Sequence, residues 1–280
     1  MKITKIATIA AGQDGAIWNG LLFRFENRGL CHVYDLHREG VPEIAAFALD
    51  RSPEFAPHSN SVAFGCRYFD PQDEFPLLYS NIYNNYAGSA DRMVGVTCVY
   101  RLQRAGEGFT STLVQLIRIG FTEDSHWCSE GMADIRPYGN CAIDRKKALY
   151  YAFTMRDGEQ TTRYFAFDLP QPGAGKPDAD LGVPVVELSP EDVRESFDCP
   201  YHRFLQGACA HKEMIYSLEG FTADGPNPPA MRIIDPAAKT QLCYEVFGNY
   251  GLTIEPELID FDGETCIYGD CKGNLYTIEF

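Results

Sequence analysis

The side chains of this sequence best suited to chemistry fall in five short stretches. Gln13 and Asp14 come first, then His58 and Asn60, then Arg136, Tyr138 and Asn140. His202, Arg203 and Gln206 form the fourth group, and Glu255 with Glu257 the fifth. Amides, imidazoles, a phenol and guanidinium groups can each make several hydrogen bonds, which is what a polar small molecule or glycan requires of its site. Arg136 would pair an anionic group on such a ligand. The carboxyls suggest a second chemistry. Cleavage of a glycosidic bond needs two carboxyl groups flanking it, roughly 5 to 10 Å apart. Asp14 with Glu257, or with Glu255, is the available pair, and Pro256 holds the two glutamates extended so that both can point to one side. His58 or His202 could serve as a general acid or base near neutral pH. Against each of these stands a structural role. Gln13, Asn60 and Asn140 are also turn residues able to satisfy their own backbone. A lone histidine in a β-rich core commonly satisfies one hydrogen bond and nothing more.

Other chemistries find no support. The histidines and carboxylates come from separate stretches with no HxxxH-like spacing, so neither a metal nor another cofactor is implied. No GxSxG elbow, no phosphate-binding glycine loop and no GK[ST] sequence is present. With 24 basic against 39 acidic residues, a net charge of −15 and no Lys/Arg run, nucleic acid is not an expected partner. Of the ten cysteines, Cys31, Cys98, Cys141, Cys209, Cys243 and Cys266 sit inside apolar strand phrases, and no CxxC pair occurs. Reduced thiols in a cytoplasmic or otherwise reducing compartment are expected. The stretch 1–11 imitates a signal peptide, but Thr8 breaks its apolar part and it alternates as an edge strand would. No apolar run has transmembrane length.

The five stretches gain meaning from the elements that follow them. A phrase of polar, Gly-containing lead, short apolar strand, tight turn and second strand recurs about every fifty residues, as in 13–36, 138–169 and 257–280. Such a period marks a radial array of small antiparallel sheets, an all-β propeller over residues 1–280 as one domain. Five blades of four strands are expected, with innermost strands at 13–20, 61–65, 139–143, 206–210 and 258–261. The fifth unit, 258–280, has only three strands, and residues 3–9 are expected to return as its outer strand and close the ring. Residues 183–188 are expected as the outer strand of the third unit. A short helix should open at Ser189-Pro190-Glu191-Asp192 and run to about Phe197, with Ser as N-cap and Pro in the first turn. The Pro/Gly-rich segments 171–180 and 222–229 read as surface loops. A sixth blade would have to come from 70–131, and a pair of β-sandwiches would need a central linker that the sequence does not show.

In this architecture, carried by the strand phrases above, the chain resembles five-bladed propellers of the tachylectin-like and arabinanase-like kinds. The blade signatures of WD40, kelch and sialidase repeats are missing. Resemblance to the sugar binders implies ligand recognition at the central channel. Resemblance to the glycoside hydrolases implies acids at the leading ends of the first three blades. Asp14 matches the first of these, where that family keeps its general base. His58 and Asn60 in the second unit, and Arg136 and Asn140 in the third, depart from it. Recognition of a polar small molecule or glycan is therefore the expected function. A glycosidase or lyase is the alternative, and a scaffold using rim features such as Tyr83 and the 222–229 loop is the third reading. Tyr79, Tyr83 and Tyr86 could stack on a sugar or fill the space between blades.

Overall fold

The structure, a computed structural model, describes residues 1–55, 57–82, 96–119, 140–156, 159–202, 204–223 and 225–280. Five small antiparallel sheets stand in a ring, a five-bladed β-propeller. Blade one is β2 (Gly15–Trp18), β3 (Leu21–Phe25), β4 (Leu30–Asp35) and β5 (Glu43–Ala48). Blade two is built on β6 (Val62–Phe64), β7 (Leu78–Ile82), β8 (Val96–Ala105) and β9 (Gly108–Ile119). Blade three has β10 (Cys141–Asp144), β11 (Leu149–Arg156), β12 (Thr161–Asp168) and β15 (Glu195–Pro200). Blade four has β16 (Leu205–His211), β17 (Met214–Glu219), β18 (Ala230–Asp235) and β19 (Thr240–Val246). Blade five combines β20 (Pro256–Asp262), β21 (Thr265–Asp270) and β22 (Asn274–Glu279) with β1 (Lys2–Thr8) from the other end of the chain.

Burial along each blade follows from this radial order. Inner strands face neighbouring blades on both sides, so β6, β7 and β10 are buried at every residue. Outer strands such as β19 alternate between exposed and half-buried residues, the period of a strand with one wet face. Each innermost strand packs on the next around the circle, β2 to β6 to β10 to β16 to β20 and back to β2. Aromatic rings fill the wedges between blades. Phe23 of blade one meets Phe64, Phe75 and Phe109 edge-on at centroid distances of 5.3, 5.5 and 5.4 Å.

The closure expected from the truncated fifth unit is present. Lys2 to Thr8 run antiparallel to β22 with Ile3 opposite Ile278, and Ile3 packs on the core beneath blade five. The apolar contact matters more than the exposed Lys2–Glu279 ion pair of 2.9 Å, since such surface pairs contribute only about 0–1 kcal/mol.

Two expectations are corrected. Residues 183–188 do not complete blade three. Pro184–Leu188 (β14) lies parallel to β9 at the edge of blade two, Val185 opposite Leu116, and β13 (Lys176–Pro177) pairs with it inside the segment expected to be loop. The twelve-residue β9 would otherwise offer a long unpaired edge, and β14 pairs with its last four residues, Leu116 to Ile119. The expected helix at 189–197 shrinks to a single 3₁₀ turn, Pro190–Asp192. Its start signal is real, because the backbone N–H and hydroxyl of Ser189 both donate to Asp192 at 2.8 Å. The chain then becomes β15, whose buried Phe197 and Cys199 alternate with exposed Asp198. Phe197 stacks on Tyr164 at 5.2 Å while Asp198 accepts from Arg163 at 2.7 and 2.9 Å, so period-two packing overrides helix initiation.

A further short helix, α1 (Ser52–Phe55), was not foreseen. No helix among the described residues is long and apolar enough to cross a membrane. The described cysteines are free thiols, with Cys31, Cys98, Cys141, Cys209 and Cys266 buried as expected and Cys243 only half-buried on outer strand β19.

Candidate functional site

At the leading ends of the innermost strands lies a cavity of about 250 Å³, lined by Gln13, Asn27, His58, Asn60, Phe204, Leu205, Gln206, Phe221, Glu255 and Glu257. Blades one, two, four and five thus contribute to one wall. Backbone irregularities put the side chains there. In blade five the pairing shifts between Pro256 and Leu258, so Glu257 is the extra residue of a β-bulge and leaves the ladder. Blade four has the same kind of shift between Leu205 and Ala208, which frees Gln206 and Gly207. Bulges re-aim a side chain that regular alternation would send elsewhere. Ser59 and Phe204 both hold φ near +60°, at 59° and 54°, a left-handed conformation rarely adopted by a ring-bearing side chain.

The inner ends of the blades meet closely beneath this cavity. The Asn60 amide reaches the Leu205 carbonyl at 3.5 Å, linking blades two and four across the axis. Asn81 donates to Asn60 at 2.7 Å and to Asn140 at 3.4 Å. Ser61 donates through its hydroxyl to the Cys141 carbonyl at 2.7 Å and accepts from the Cys141 N–H at 2.9 Å. Gly207 is required here. A Cβ at that position would lie 2.2 Å from the Glu257 carbonyl oxygen and 2.7 Å from Asp14 Oδ1. Among the described residues these contacts form a polar plug, with the cavity above it.

The carboxyls differ in environment. Glu257 is 2% exposed, accepts from Gln13 Nε2 at 3.3 Å through Oε1, and has no hydrogen-bond partner on Oε2. Burial raises it to about 8, with Glu255 adding to the rise and Arg24 opposing it. Glu255 is less enclosed and accepts from Gln206 at 2.8 Å; burial again sets the upward direction. Asp14 does not line the cavity. Its carboxyl is wholly buried, Oδ2 accepting from the Val62 N–H at 2.8 Å while Oδ1 has no partner, and burial pushes it well above the usual carboxylate range. Arg24, on β3, is the buried cation that faces these acids. It donates to the carbonyls of Gly12 at 2.8 Å and Asp270 at 2.9 Å.

The histidines part company. His58 lines the cavity and burial lowers it to about 4, which keeps it neutral at physiological pH. His202 does not line it. Its backbone N–H donates to Thr162 at 2.9 Å, its ring stands edge-on to Tyr164, and both ring nitrogens are buried without partners. Burial and the nearby Arg232 push it well below the ordinary imidazole range. Asn140 is buried in the plug. Arg136 and Tyr138, with Arg203, Tyr83 and Tyr86, lie outside the described residues. Among the described residues no group of three or more His, Cys, Asp or Glu side chains is placed to hold a metal ion.

Five contributors escaped the sequence reading: Arg24, Asn27, Phe204, Leu205 and Phe221. Arg24 left a signal, as a lone charge in the otherwise apolar phrase Leu-Leu-Phe-Arg-Phe. Phe204 and Phe221 left none. They flank β16 and β17, are 49% and 48% exposed, and form an edge-on pair at 5.3 Å on the cavity rim. The site therefore joins amides, two carboxyls and a wet aromatic pair in a space small enough for one compact ligand.

No family model matches this sequence, and no curated protein matches it. Solved structures do resemble it in fold. One glucose dehydrogenase structure aligns over 100% of both chains with a TM-score of 0.51 at 10% identity. A second glucose dehydrogenase aligns over 100% of this chain and 99% of its own, with a TM-score of 0.50 at 9% identity. The computationally designed protein Ika8 aligns over 99% of both chains at 12% identity, with a TM-score of 0.35. The likeness to the two glucose dehydrogenase structures concerns the fold alone.

Proposed function

We propose that this protein binds a small polar molecule, of the size and hydrogen-bonding character of a single sugar unit, in the cavity at the channel mouth. The observation that carries this reading is the Phe204–Phe221 pair, half exposed beside a wall of Gln13, Asn27, Asn60, Gln206, Glu255 and Glu257. Large apolar rings left in water at the rim of a polar cavity match the two faces of a sugar, C–H on the ring face and hydroxyls at the edge. The volume of about 250 Å³ falls below the roughly 300–1,000 Å³ of drug-sized sites, which points to a compact ligand. The buried free thiols support a reducing compartment.

The test is a thermal-shift screen of the purified chain against monosaccharides, amino sugars, uronic acids and oligosaccharides. A ligand at a hundred times its dissociation constant stabilises the fold by about 2.7 kcal/mol. The shift should be lost in Asn60→Ala and in Phe204→Ala. A panel that shifts neither wild type nor variant would count against the reading.

A second reading, glycoside hydrolysis or elimination, draws on one specific feature. Glu257 is held protonated at neutral pH, the state required of a general acid, and Glu255 is a second carboxyl on the same wall. Incubating a bound oligosaccharide and looking for product separates the two. If product forms, Glu257→Gln should abolish turnover and retain most of the affinity.

A further inference from the structure

We infer that the ligand of this cavity carries a protonated amine, as an amino sugar or another compact polar amine does. This rests on the binding reading above and narrows its ligand class. Both titratable acids on the wall, Glu255 and Glu257, are carboxyls, and among the described lining residues there is no Lys or Arg. Glu257 is 2% exposed with Oε2 lacking any hydrogen-bond partner. A buried carboxyl without a donor is costly, and the site's own cation does not resolve it. Arg24 uses Nη2 on the carbonyls of Gly12 and Asp270 and makes no hydrogen bond to Glu257 Oε2. An ammonium group in the cavity supplies a charge-assisted donor for Glu257, with Glu255 as a second acceptor. The exposed rings of Phe204 and Phe221 on the same rim add a cation–π surface. An anionic sugar would instead meet two acids and gain no cation–π attraction from the rings.

Proton linkage follows from the groups facing Glu257. Arg24 comes from β3, Asp14 and Gln13 lead into β2, Asp270 ends β21, Cys271 follows it, and Glu255 precedes β20 with Lys272 acting on it. Burial keeps the Glu257 proton on up to about pH 8. Seating an ammonium beside it favours the carboxylate, so binding at pH 7 expels that proton.

The test is titration calorimetry of the full chain with glucosamine, glucose and glucuronate, at pH 7 in phosphate and in HEPES. Glucosamine should bind at least tenfold tighter than glucose and release about one proton per ligand, read from the difference between buffers. Its affinity should rise by nearly tenfold from pH 6 to pH 7, and glucuronate should bind weakest. Glu257→Gln, and separately the less buried Glu255→Gln, should each cut the preference for glucosamine over glucose by tenfold or more. Equal affinity for glucose and glucosamine, or binding without proton release, overturns the amine inference and leaves the binding reading standing. Unchanged preference in both variants overturns it as well. If no member of the panel binds, the binding reading itself falls, and the inference with it.

Discussion

Folding of this protein should weaken as pH rises through the neutral range, and Glu257→Gln should remove a defined part of that slope. Glu257 rises from 4.5 to about 8 on burial. Between those values the folded chain holds a proton that the unfolded chain has released, so stability falls with increasing pH. The contribution is fully present below pH 4.5 and is lost as pH climbs through 8. At 1.36 kcal/mol per pKa unit the whole window is worth roughly 5 kcal/mol, of which about 2.5 kcal/mol is lost between pH 5 and pH 7. For a chain of 280 residues, with an unfolding entropy of about 2.1 cal/mol/K per residue, that corresponds to about 4 °C in melting temperature. Other groups tilt the curve too. His58 and His202 are lowered by burial, and they make the fold gain stability as pH rises toward 6.5. The informative quantity is therefore the difference between wild type and Glu257→Gln, measured by calorimetry or denaturant titration from pH 5 to pH 9. The amide is neutral throughout and can still accept from Gln13. The variant should gain on wild type by about 2.5 kcal/mol between pH 5 and pH 7 and by further stability up to pH 9. Parallel curves would refute the claim that burial keeps this carboxyl protonated.

Other outcomes follow from single contacts. Gly207→Ala should destabilise the fold toward the upper end of about 1–3 kcal/mol in chemical denaturation, because its Cβ meets a backbone carbonyl at 2.2 Å that cannot easily give way. Arg24→Leu should cost about 3–5 kcal/mol in chemical denaturation, since it removes the buried cation beside Asp270 and leaves the carbonyls of Gly12 and Asp270 without their donor. His202→Leu removes two unpartnered buried nitrogens, so it should be neutral or stabilising, and its advantage should grow below pH 6.5 as the wild-type ring begins to pay for staying neutral. A variant less stable than wild type at pH 5 would show that the ring has a partner the geometry does not reveal.

The strands were legible because their signals are local. Alternating or continuous apolar phrases between turn residues marked the innermost strands β2, β6, β10, β16 and β20 within a few residues of their observed bounds. The missing strand of the last unit and the spare strand at the N-terminus identified each other. The leading stretches could also be named, since in a propeller they must converge. Where local rules misled, a distant partner decided. Ser189 and Asp192 cap a turn as their sequence says, yet Phe197 finds Tyr164 and the chain goes on as strand. Residues 184–188 look like any outer strand, and nothing in them specifies β9 of the preceding blade as their parallel partner.

Sequence by itself determined the architecture and the ring closure, and it named candidate polar residues at the leading ends of the inner strands, because each depends on patterns a few residues long. Tertiary structure alone decided how those residues divide. His58, Asn60, Gln206, Glu255 and Glu257 share one cavity, while Asp14 is sealed under it and His202 stands apart against Tyr164. Closing the ring brings Asn60 to Leu205, 145 residues away, and sets Phe204 and Phe221 over the site. Burial, which no short pattern encodes, then makes Glu257 an acid that keeps its proton and Asp14 one that does not reach the cavity. The identity of a side chain is written in the sequence, but its charge and its neighbours are set by the solvent and the blades that the fold places around it.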